Sequence, residues 1–82
     1  MDDAQDRKQQ LQQAFGLVLK QCRQTAGLSQ EKLALECELD RTYISLLERG
    51  LRTPTLHTIF VLADHLGVSP VSMVKAVKQQ LD

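Results

Sequence analysis

The segment from residue 41 to residue 52 carries side chains that can contact a nucleic acid. If it is a helix with Ile44 and Leu47 turned inward, its outer face presents Arg41, Thr42, Ser45, Leu46 and Arg49. An arginine can give a paired hydrogen bond to guanine, hydroxyl groups can reach base edges or backbone, and a leucine can cover a thymine methyl group. Arg49 and Arg52 flank a glycine turn where a phosphate backbone would pass. The pattern predicts that bases are read by Arg41, Thr42, Ser45 and Leu46.

Two short helices and a tight turn are expected to position those side chains. The sequence QEKLALECELDRTYISLLER covers residues 30–49, and Ser29 and Asp40 are good N-cap residues for the two helices. A turn of about three residues between such helices is the spacing of a helix-turn-helix. Ala34 is small where the helices must approach, and the apolar contacts come from Leu33, Leu39, Ile44 and Leu47. The alternative, two amphipathic helices in an ordinary bundle, explains neither an exposed Leu46 nor the two arginines beside the glycine turn.

The rest of the chain is expected to be helical as well. A first helix over about residues 4–26 has one apolar face, formed by Leu11, Phe15, Val18, Cys22 and Ala26. Glycines and N-cap residues delimit a fourth helix over 56–66 and a fifth over about 70–81. No segment alternates with a period of two, so we expect an all-α fold of five helices. Residues 14–82 are expected to form one domain and residues 1–13 a helical N-terminal extension, either frayed or in contact with a partner.

Composition and spacing argue against several classes of protein. Ten basic and ten acidic residues give a formal net charge of zero, so total charge indicates neither a nucleic-acid nor a membrane partner. No apolar run approaches the roughly 20 residues that cross a bilayer, and the acidic start lacks a secretion signal, so we expect a cytoplasmic protein.

Cys22 and Cys37 are too few for a zinc finger, and His57 and His65 have no nearby ligands, so no metal or cofactor is expected. No catalytic arrangement is present, so an enzyme is not expected.

Several segments together resemble a known family. The sequences GLSQEKLA, DRTYISLLERG, RTP and LADHLGVSP are similar to those of the phage repressor and Cro-like family, often called the Xre family, over about Phe15 to Val71. The resemblance implies a lambda-repressor-like domain of five helices, with helices two and three as the DNA-binding unit. It also implies that the start of helix three, here Arg41, Thr42 and Tyr43, enters the major groove.

The resemblance adds two further expectations about single residues. Gln30 should meet a phosphate or the edge of the recognition surface, and Arg23 and Glu48 should form a salt bridge between helices one and three. Together with the basic and hydroxyl side chains nearby, the predicted phosphate contacts are Gln30, Lys32, Tyr43, Arg49 and Arg52. Affinity from such contacts should fall steeply with salt.

The turn between helices two and three departs from the family pattern. The position commonly held by Gly, and sometimes by Asn, is Glu38 here. A left-handed backbone at a residue with a Cβ costs roughly 1 kcal/mol, so either the turn differs or the fold absorbs that cost. Glu36, Glu38 and Asp40 also form an acidic cluster, which would repel phosphate and is expected to face outward or towards a partner.

Helix five carries more apolar surface than one face requires. One stripe can complete the core and another can join two subunits, and the interface is predicted to use Met73, Val74, Val77 and Leu81. Two copies with recognition helices about 34 Å apart would read a palindromic operator. The alternative is that all of this surface packs within one chain.

The sequence therefore predicts a homodimeric, sequence-specific transcription regulator that binds double-stranded DNA. Within this class, DRTYIS resembles the recognition segment of the controller proteins of restriction–modification operons, which are stand-alone dimers of about this length. An antitoxin-type regulator that also binds a toxin is a second variant. The rival from another class is a protein-interaction module that has lost DNA binding, a role suggested by the zero net charge and the acidic cluster.

Overall fold

The computed structural model describes residues 3–82 and builds them from five α-helices. These are α1 (Asp3–Thr25), α2 (Gln30–Cys37), α3 (Arg41–Glu48), α4 (Leu56–Leu66) and α5 (Pro70–Leu81). The predicted all-α fold is confirmed. α1 runs without a break through residue 13, so the predicted extension continues the same helix; its residues 1 and 2 lie outside the described part of the chain. Within residues 3–82 no single helix is long and apolar enough to span a membrane, although α4 and α5, bent by 109°, reach that composition as a pair.

Local hydrogen bonds explain where four of the helices begin. The side-chain oxygens of Ser29, Asp40, Thr55 and Ser69 accept bonds from backbone N–H groups in the first turns of α2, α3, α4 and α5. Each bond satisfies a donor that the helix itself leaves unpaired, and such a cap typically contributes about 1 kcal/mol. Pro70 stands at the start of α5, where its missing N–H costs nothing.

One apolar core joins all five helices. α1 packs against α3 and α5, α2 packs against α3 and α4, and α4 packs against α5. The side chains with no exposed surface are Leu19, Leu33, Ile44, Leu47, Leu62 and Ala63. Full burial of a leucine or isoleucine side chain contributes about 1.5–3 kcal/mol, so the contacts of Leu33, Ile44 and Leu47 fix the angle between α2 and α3.

A glycine inside α1 allows that helix to approach the end of α3 closely. Gly16 is buried, and a Cβ at this position would lie 2.5 Å from the carbonyl oxygen of Leu47 and 2.6 Å from that of Glu48. Contacts of that length to backbone atoms cannot be relieved by a side-chain rotation. The absence of a side chain at Gly16 therefore sets the distance between α1 and the C-terminal end of α3.

The structure corrects part of the predicted dimer interface. Met73 and Val77 are only 1% and 6% exposed, and both belong to the core of the single chain. They lie one helical turn apart, so the face of α5 that contains both is turned towards the other helices. Side chains buried to this extent have no surface for a second subunit. Val74 and Leu81, the other two predicted positions, remain 49% and 46% exposed.

Candidate nucleic-acid interface

The corner between α2 and α3 keeps a left-handed residue. Glu38 has φ 56° and ψ 40°, in the region that usually favours glycine. Its N–H and that of Leu39 donate to carbonyl groups in the last turn of α2, and Leu39 packs against the core. The turn is therefore left-handed at Glu38, and the second of the two expected outcomes holds: the fold absorbs the conformational cost of that side chain.

An ion pair fixes the far end of α3. Arg23 donates from Nε to Oε2 of Glu48 at 2.6 Å and from Nη2 to Oε1 at 2.9 Å, with side-chain exposures of 11% for Arg23 and 4% for Glu48. Arg23 Nη1 also donates to the carbonyl oxygen of Leu28 in the turn before α2. The hydrogen bond to Glu48 is the main cause of a raised Arg23 pKa, opposed by desolvation and aided by the charge of Glu48. A paired, two-point contact of this kind holds α1 and α3 in one relative orientation.

Gln30, the first residue of α2, belongs to the same network. Its Nε2 donates to Oε1 of Glu48 at 3.0 Å, and the side chain is half-buried. An amide nitrogen carries two hydrogens, so the second can still reach a phosphate oxygen. Gln30 is therefore held by Glu48 at the end of α3 rather than being a free surface side chain.

A surface depression of about 500 Å³ connects the starts of α2 and α3. Its walls bring together Arg23, Ser29, Gln30, Glu31, Lys32, Leu35 and Arg41. Lys32 is exposed and lies 3.9 Å from the Glu36 carboxylate one turn away, a surface pair of little strength. The predicted phosphate contacts Gln30 and Lys32 thus border the same depression as Arg41, the first predicted base-reading residue.

The outer face of α3 is more enclosed than its sequence pattern suggests. Arg41 and Thr42 are exposed at the start of the helix, whereas Ser45 and Leu46 are half-buried. The sequence predicts an exposed Leu46, whereas the structure covers part of this side chain and leaves the rest accessible. Tyr43 is also half-buried and packs against the core, so its ring helps to anchor the helix.

The loop after α3 carries the other two predicted phosphate contacts. Arg49 and Arg52 are both exposed, and Gly50 between them is buried with φ 74°. Arg52 Nη1 donates to the carbonyl oxygen of Leu51 at 2.9 Å. An arginine has five N–H donors, so the guanidinium group keeps others for a ligand.

The acidic cluster lies on the surface. Glu36, Glu38 and Asp40 are exposed, and Asp40 accepts a hydrogen bond from the Thr42 N–H as the cap of α3. One of the three carboxylates therefore has a structural role at the start of the helix that presents Arg41. The other two face solvent at the end of α2.

Comparison with known proteins identifies the arrangement. A family model described as Helix-turn-helix matches residues 19–72, which include α2, α3 and α4 completely. The chain belongs to this helix-turn-helix family. The resemblance to phage repressor and Cro-like proteins is thereby confirmed, and the corner formed by α2 and α3 is the helix-turn-helix unit.

The relatives of this helix-turn-helix protein include controller proteins. Control protein C.BamHI from Bacillus amyloliquefaciens is 46% identical over 61 residues, which cover 73% of this chain and 75% of the relative. The restriction-modification controller protein C.AhdI from Aeromonas hydrophila shares 40% identity with a TM-score of 0.73, over 76% of this chain and 94% of that one. The restriction-modification controller protein C.Esp1396I was solved as a tetramer in complex with its natural 35 base-pair operator. It shares 34% identity with a TM-score of 0.76, over 85% of this chain and 92% of that one.

Within residues 3–82 of the helix-turn-helix protein, no group of three or more His, Cys, Asp or Glu side chains is placed so that it could hold a metal ion. His57 is exposed, and His65 Nδ1 lies 3.0 Å from the carbonyl oxygen of Val61 on its own helix, as a donor to it. Cys22 and Cys37 are free thiols that pack in or against the core, and burial raises the pKa of both.

Two contacts that α1 makes with the end of α3 and with the loop after it were not found by sequence reasoning. The contact of Gly16 with the end of α3 was missed, although a glycine inside a strongly helical segment is itself a signal of close packing. The hydrogen bond from Gln12 to Thr53, at 2.8 Å, was missed because the two residues are 41 positions apart. No local pattern predicts such a pair.

Proposed function

We propose that the chain is a sequence-specific transcription regulator that binds double-stranded DNA as a homodimer, with α3 in the major groove. The observation that carries the proposal is the α2–α3 corner. Its inner side is locked by the core and by the Arg23–Glu48–Gln30 network, while Arg41 and Thr42 remain exposed at the start of α3. A rigid helix with free donors at its N-terminal end is what major-groove recognition requires.

The proposed roles follow from chemistry and exposure. Arg41 and Thr42 read base edges, and Ser45 and Leu46 contact bases with the part of their surface that remains accessible. The phosphate contacts come from Gln30, Lys32, Tyr43, Arg49 and Arg52. Support for DNA as the ligand also comes from C.Esp1396I, a relative that was solved on its operator.

The proposed dimer uses a revised surface. Because Met73 and Val77 are buried, the second subunit would contact exposed apolar side chains that a single chain leaves uncovered on α4 and α5: Leu56, Phe60, Val71, Val74 and Leu81. A symmetric pair would place two α3 helices about 34 Å apart, on successive turns of one face of DNA. The expected operator is therefore a palindrome.

The first experiment is a fluorescence-anisotropy titration against a randomised DNA pool at two salt concentrations, with sequencing of the bound fraction. We expect a palindromic sequence to be enriched and the affinity to fall steeply as salt rises. Arg41→Ala should weaken binding to the enriched sequence by about 1–3 kcal/mol and reduce its preference over random DNA. Arg7→Ala, an exposed arginine on the extension of α1, is the matched control and should leave the preference unchanged.

Two results would contradict these proposals. Equal losses of Arg41→Ala on the enriched and the random DNA would remove the base-reading role of Arg41. No enrichment and no binding at low salt would favour the rival function, a protein-interaction module whose surface includes the exposed carboxylates of Glu36 and Glu38.

A narrower function within this class is the control of a restriction–modification operon. The similarity to C.BamHI and C.AhdI favours it, since both relatives are controller proteins and align with 73% and 76% of this chain. Two observations test it. The protein should bind the promoter of its own gene, and nuclease and methyltransferase genes should lie beside that gene. A neighbouring toxin gene would instead support the antitoxin-type regulator. In each case we propose a non-catalytic, cytoplasmic protein.

A further inference from the structure

The N-terminal half of α1 touches the loop between α3 and α4 at two points. Gln12 Nε2 donates to Oγ1 of Thr53 at 2.8 Å. One residue further along α1, the backbone of Gln13 lies against Gly50, where a Cβ on the glycine would be 3.0 Å from the Gln13 Cα atom. Two consecutive residues of one helix therefore hold two points of the same loop.

Arg52 lies between these two points. The segment Leu51–Arg52 is the part of the loop bracketed by Gly50 and Thr53, and the Arg52 side chain is exposed. Its Nη1 bond to the Leu51 carbonyl oxygen, at 2.9 Å, orients the guanidinium group relative to its own backbone. The direction of the Arg52 side chain therefore depends on the position of this backbone.

The contact is more than a passing surface hydrogen bond. Beneath it, Leu11 and Phe15 of α1 face Pro54 and Leu56 across an apolar cavity of about 310 Å³. Gln12 and Thr53 lie on the wall of the same cavity, next to these apolar side chains. Gln12 precedes residue 19, where the match to the helix-turn-helix family begins. The loop of the DNA-binding unit thus rests on a helix turn that the family model does not include.

We propose that Gln12 is a positioning residue for DNA binding: through Thr53 it holds the α3–α4 loop so that Arg52 meets a phosphate group. The inference rests on the proposed function, because it assigns Gln12 a role in the same DNA contact. Gln12 itself touches no DNA. Without its bond, the loop loses the hydrogen bond to α1 that lies beside Arg52. The segment must then be ordered during binding before the phosphate contact can form.

The test is a double-mutant cycle between Gln12→Met and Arg52→Ala, measured on the DNA sequence enriched from the pool. Methionine keeps the length and helix propensity of glutamine but has no donor. We expect Gln12→Met to weaken binding about 3-fold to 10-fold when Arg52 is present. In the Arg52→Ala background the same change should cost less than about 2-fold, since the group that it positions is gone.

Two further measurements separate positioning from general stability. Arg52→Ala should reduce the slope of log affinity against log salt by about 1, and Gln12→Met by a fraction of that. Thr53→Val, which removes the accepting hydroxyl at nearly constant shape, should weaken DNA binding as much as Gln12→Met does. Thr53→Ser, which keeps the hydroxyl, should bind as the wild type does. Gln10→Met, at an exposed position two residues earlier on α1, is the matched control and should bind as the wild type does.

The outcomes distinguish this inference from the proposed function. No binding of any DNA by the wild type overturns the proposed function and the inference with it. Wild-type binding that is indifferent to Gln12, or that Gln12→Met weakens equally with and without Arg52, overturns the inference alone. A loss that depends on Arg52, that Thr53→Val reproduces and that Thr53→Ser does not show supports it.

Discussion

The α2–α3 corner and the outer sides of α4 and α5 differ in how far a single chain covers its own side chains. At the corner, the Glu48 carboxylate accepts three hydrogen bonds, two from Arg23 and one from Gln30. On α4 and α5, by contrast, Phe60 and Val71 are 53% and 75% exposed. The first region satisfies its polar groups internally, whereas the second presents apolar groups to solvent.

This difference is the reason for assigning the proposed DNA contact and the proposed dimer contact to separate parts of the molecule. Within residues 3–82 no buried side-chain nitrogen or oxygen lacks a hydrogen bond, so the buried polar groups of the corner are already paired before any ligand arrives. A preorganised surface loses little conformational freedom on binding. Exposed leucine, valine and phenylalanine side chains gain most from a second apolar surface, which is why the proposed dimer contact is assigned to α4 and α5.

The largest expected effect comes from breaking the corner. Glu48→Ala leaves the mostly buried Arg23 guanidinium without its partner, and we expect a loss of about 3–5 kcal/mol in the free energy of unfolding. Urea denaturation followed by circular dichroism measures it. Because Glu48 raises the Arg23 pKa, this stabilisation is present below the ordinary arginine pKa and is lost only as pH rises through the raised value.

Glu36→Ala is the matched control for Glu48→Ala. Its carboxylate lies on the exposed side of α2, 3.9 Å from Lys32, so we expect a change within about 0.5 kcal/mol. If Glu48→Ala also costs less than about 1 kcal/mol, the corner does not depend on the ion pair and the contrast between the two regions is lost.

The second effect concerns association rather than folding. Phe60→Lys places a charge on the exposed side of α4, in the proposed dimer contact, and should raise the dimer dissociation constant about 30-fold or more. Sedimentation velocity over a concentration series measures this constant. Leu35→Lys, at a leucine that is 72% exposed on α2, should leave it unchanged. Equal weakening by both variants would show that the dimer surface is not confined to α4 and α5.

Local signals in the sequence predicted the helices, because caps and stops act within a few residues. Ser29 and Asp40 each bond an N–H two or three residues ahead, so their roles are readable without tertiary structure. The Arg23–Glu48 pair was expected only from the family resemblance. Spacing alone does not bring together two residues that are 25 positions apart.

The assignment of α5 shows where sequence reasoning fails. Val74 and Val77 fit one apolar stripe and Met73 and Val77 fit another, so hydrophobic periodicity does not decide which stripe faces the core. That choice depends on how α1 and α4 pack against α5, and the structure buries Met73 and Val77. The loop contact of Gln12 was unpredictable for the same reason, since it depends on the docking of distant segments.

A third prediction sharpens the account of the corner. Alanine normally stabilises a helix relative to glycine by about 0.5–1 kcal/mol, so Gly16→Ala would be expected to help α1 in isolation. Here the new methyl group would meet the carbonyl oxygens of Leu47 and Glu48 at 2.5 and 2.6 Å, and we expect a net loss of about 1–3 kcal/mol. Thermal unfolding measures the sign. A stabilised Gly16→Ala variant would mean that α1 and α3 can separate without cost.

The smallest effect lies in the turn of the corner. Glycine at position 38 removes a left-handed strain of about 1 kcal/mol but adds about 0.5 kcal/mol of backbone entropy to the unfolded chain. Glu38→Gly should therefore stabilise the fold by about 0.5 kcal/mol, with Glu31→Gly in the first turn of α2 as the destabilising control. The carboxylate is also lost. Because Glu38 is expected to face away from DNA, the DNA affinity should stay constant, and a stronger binding would contradict that expectation. Chemical denaturation and the anisotropy titration together separate the contribution of strain from that of charge.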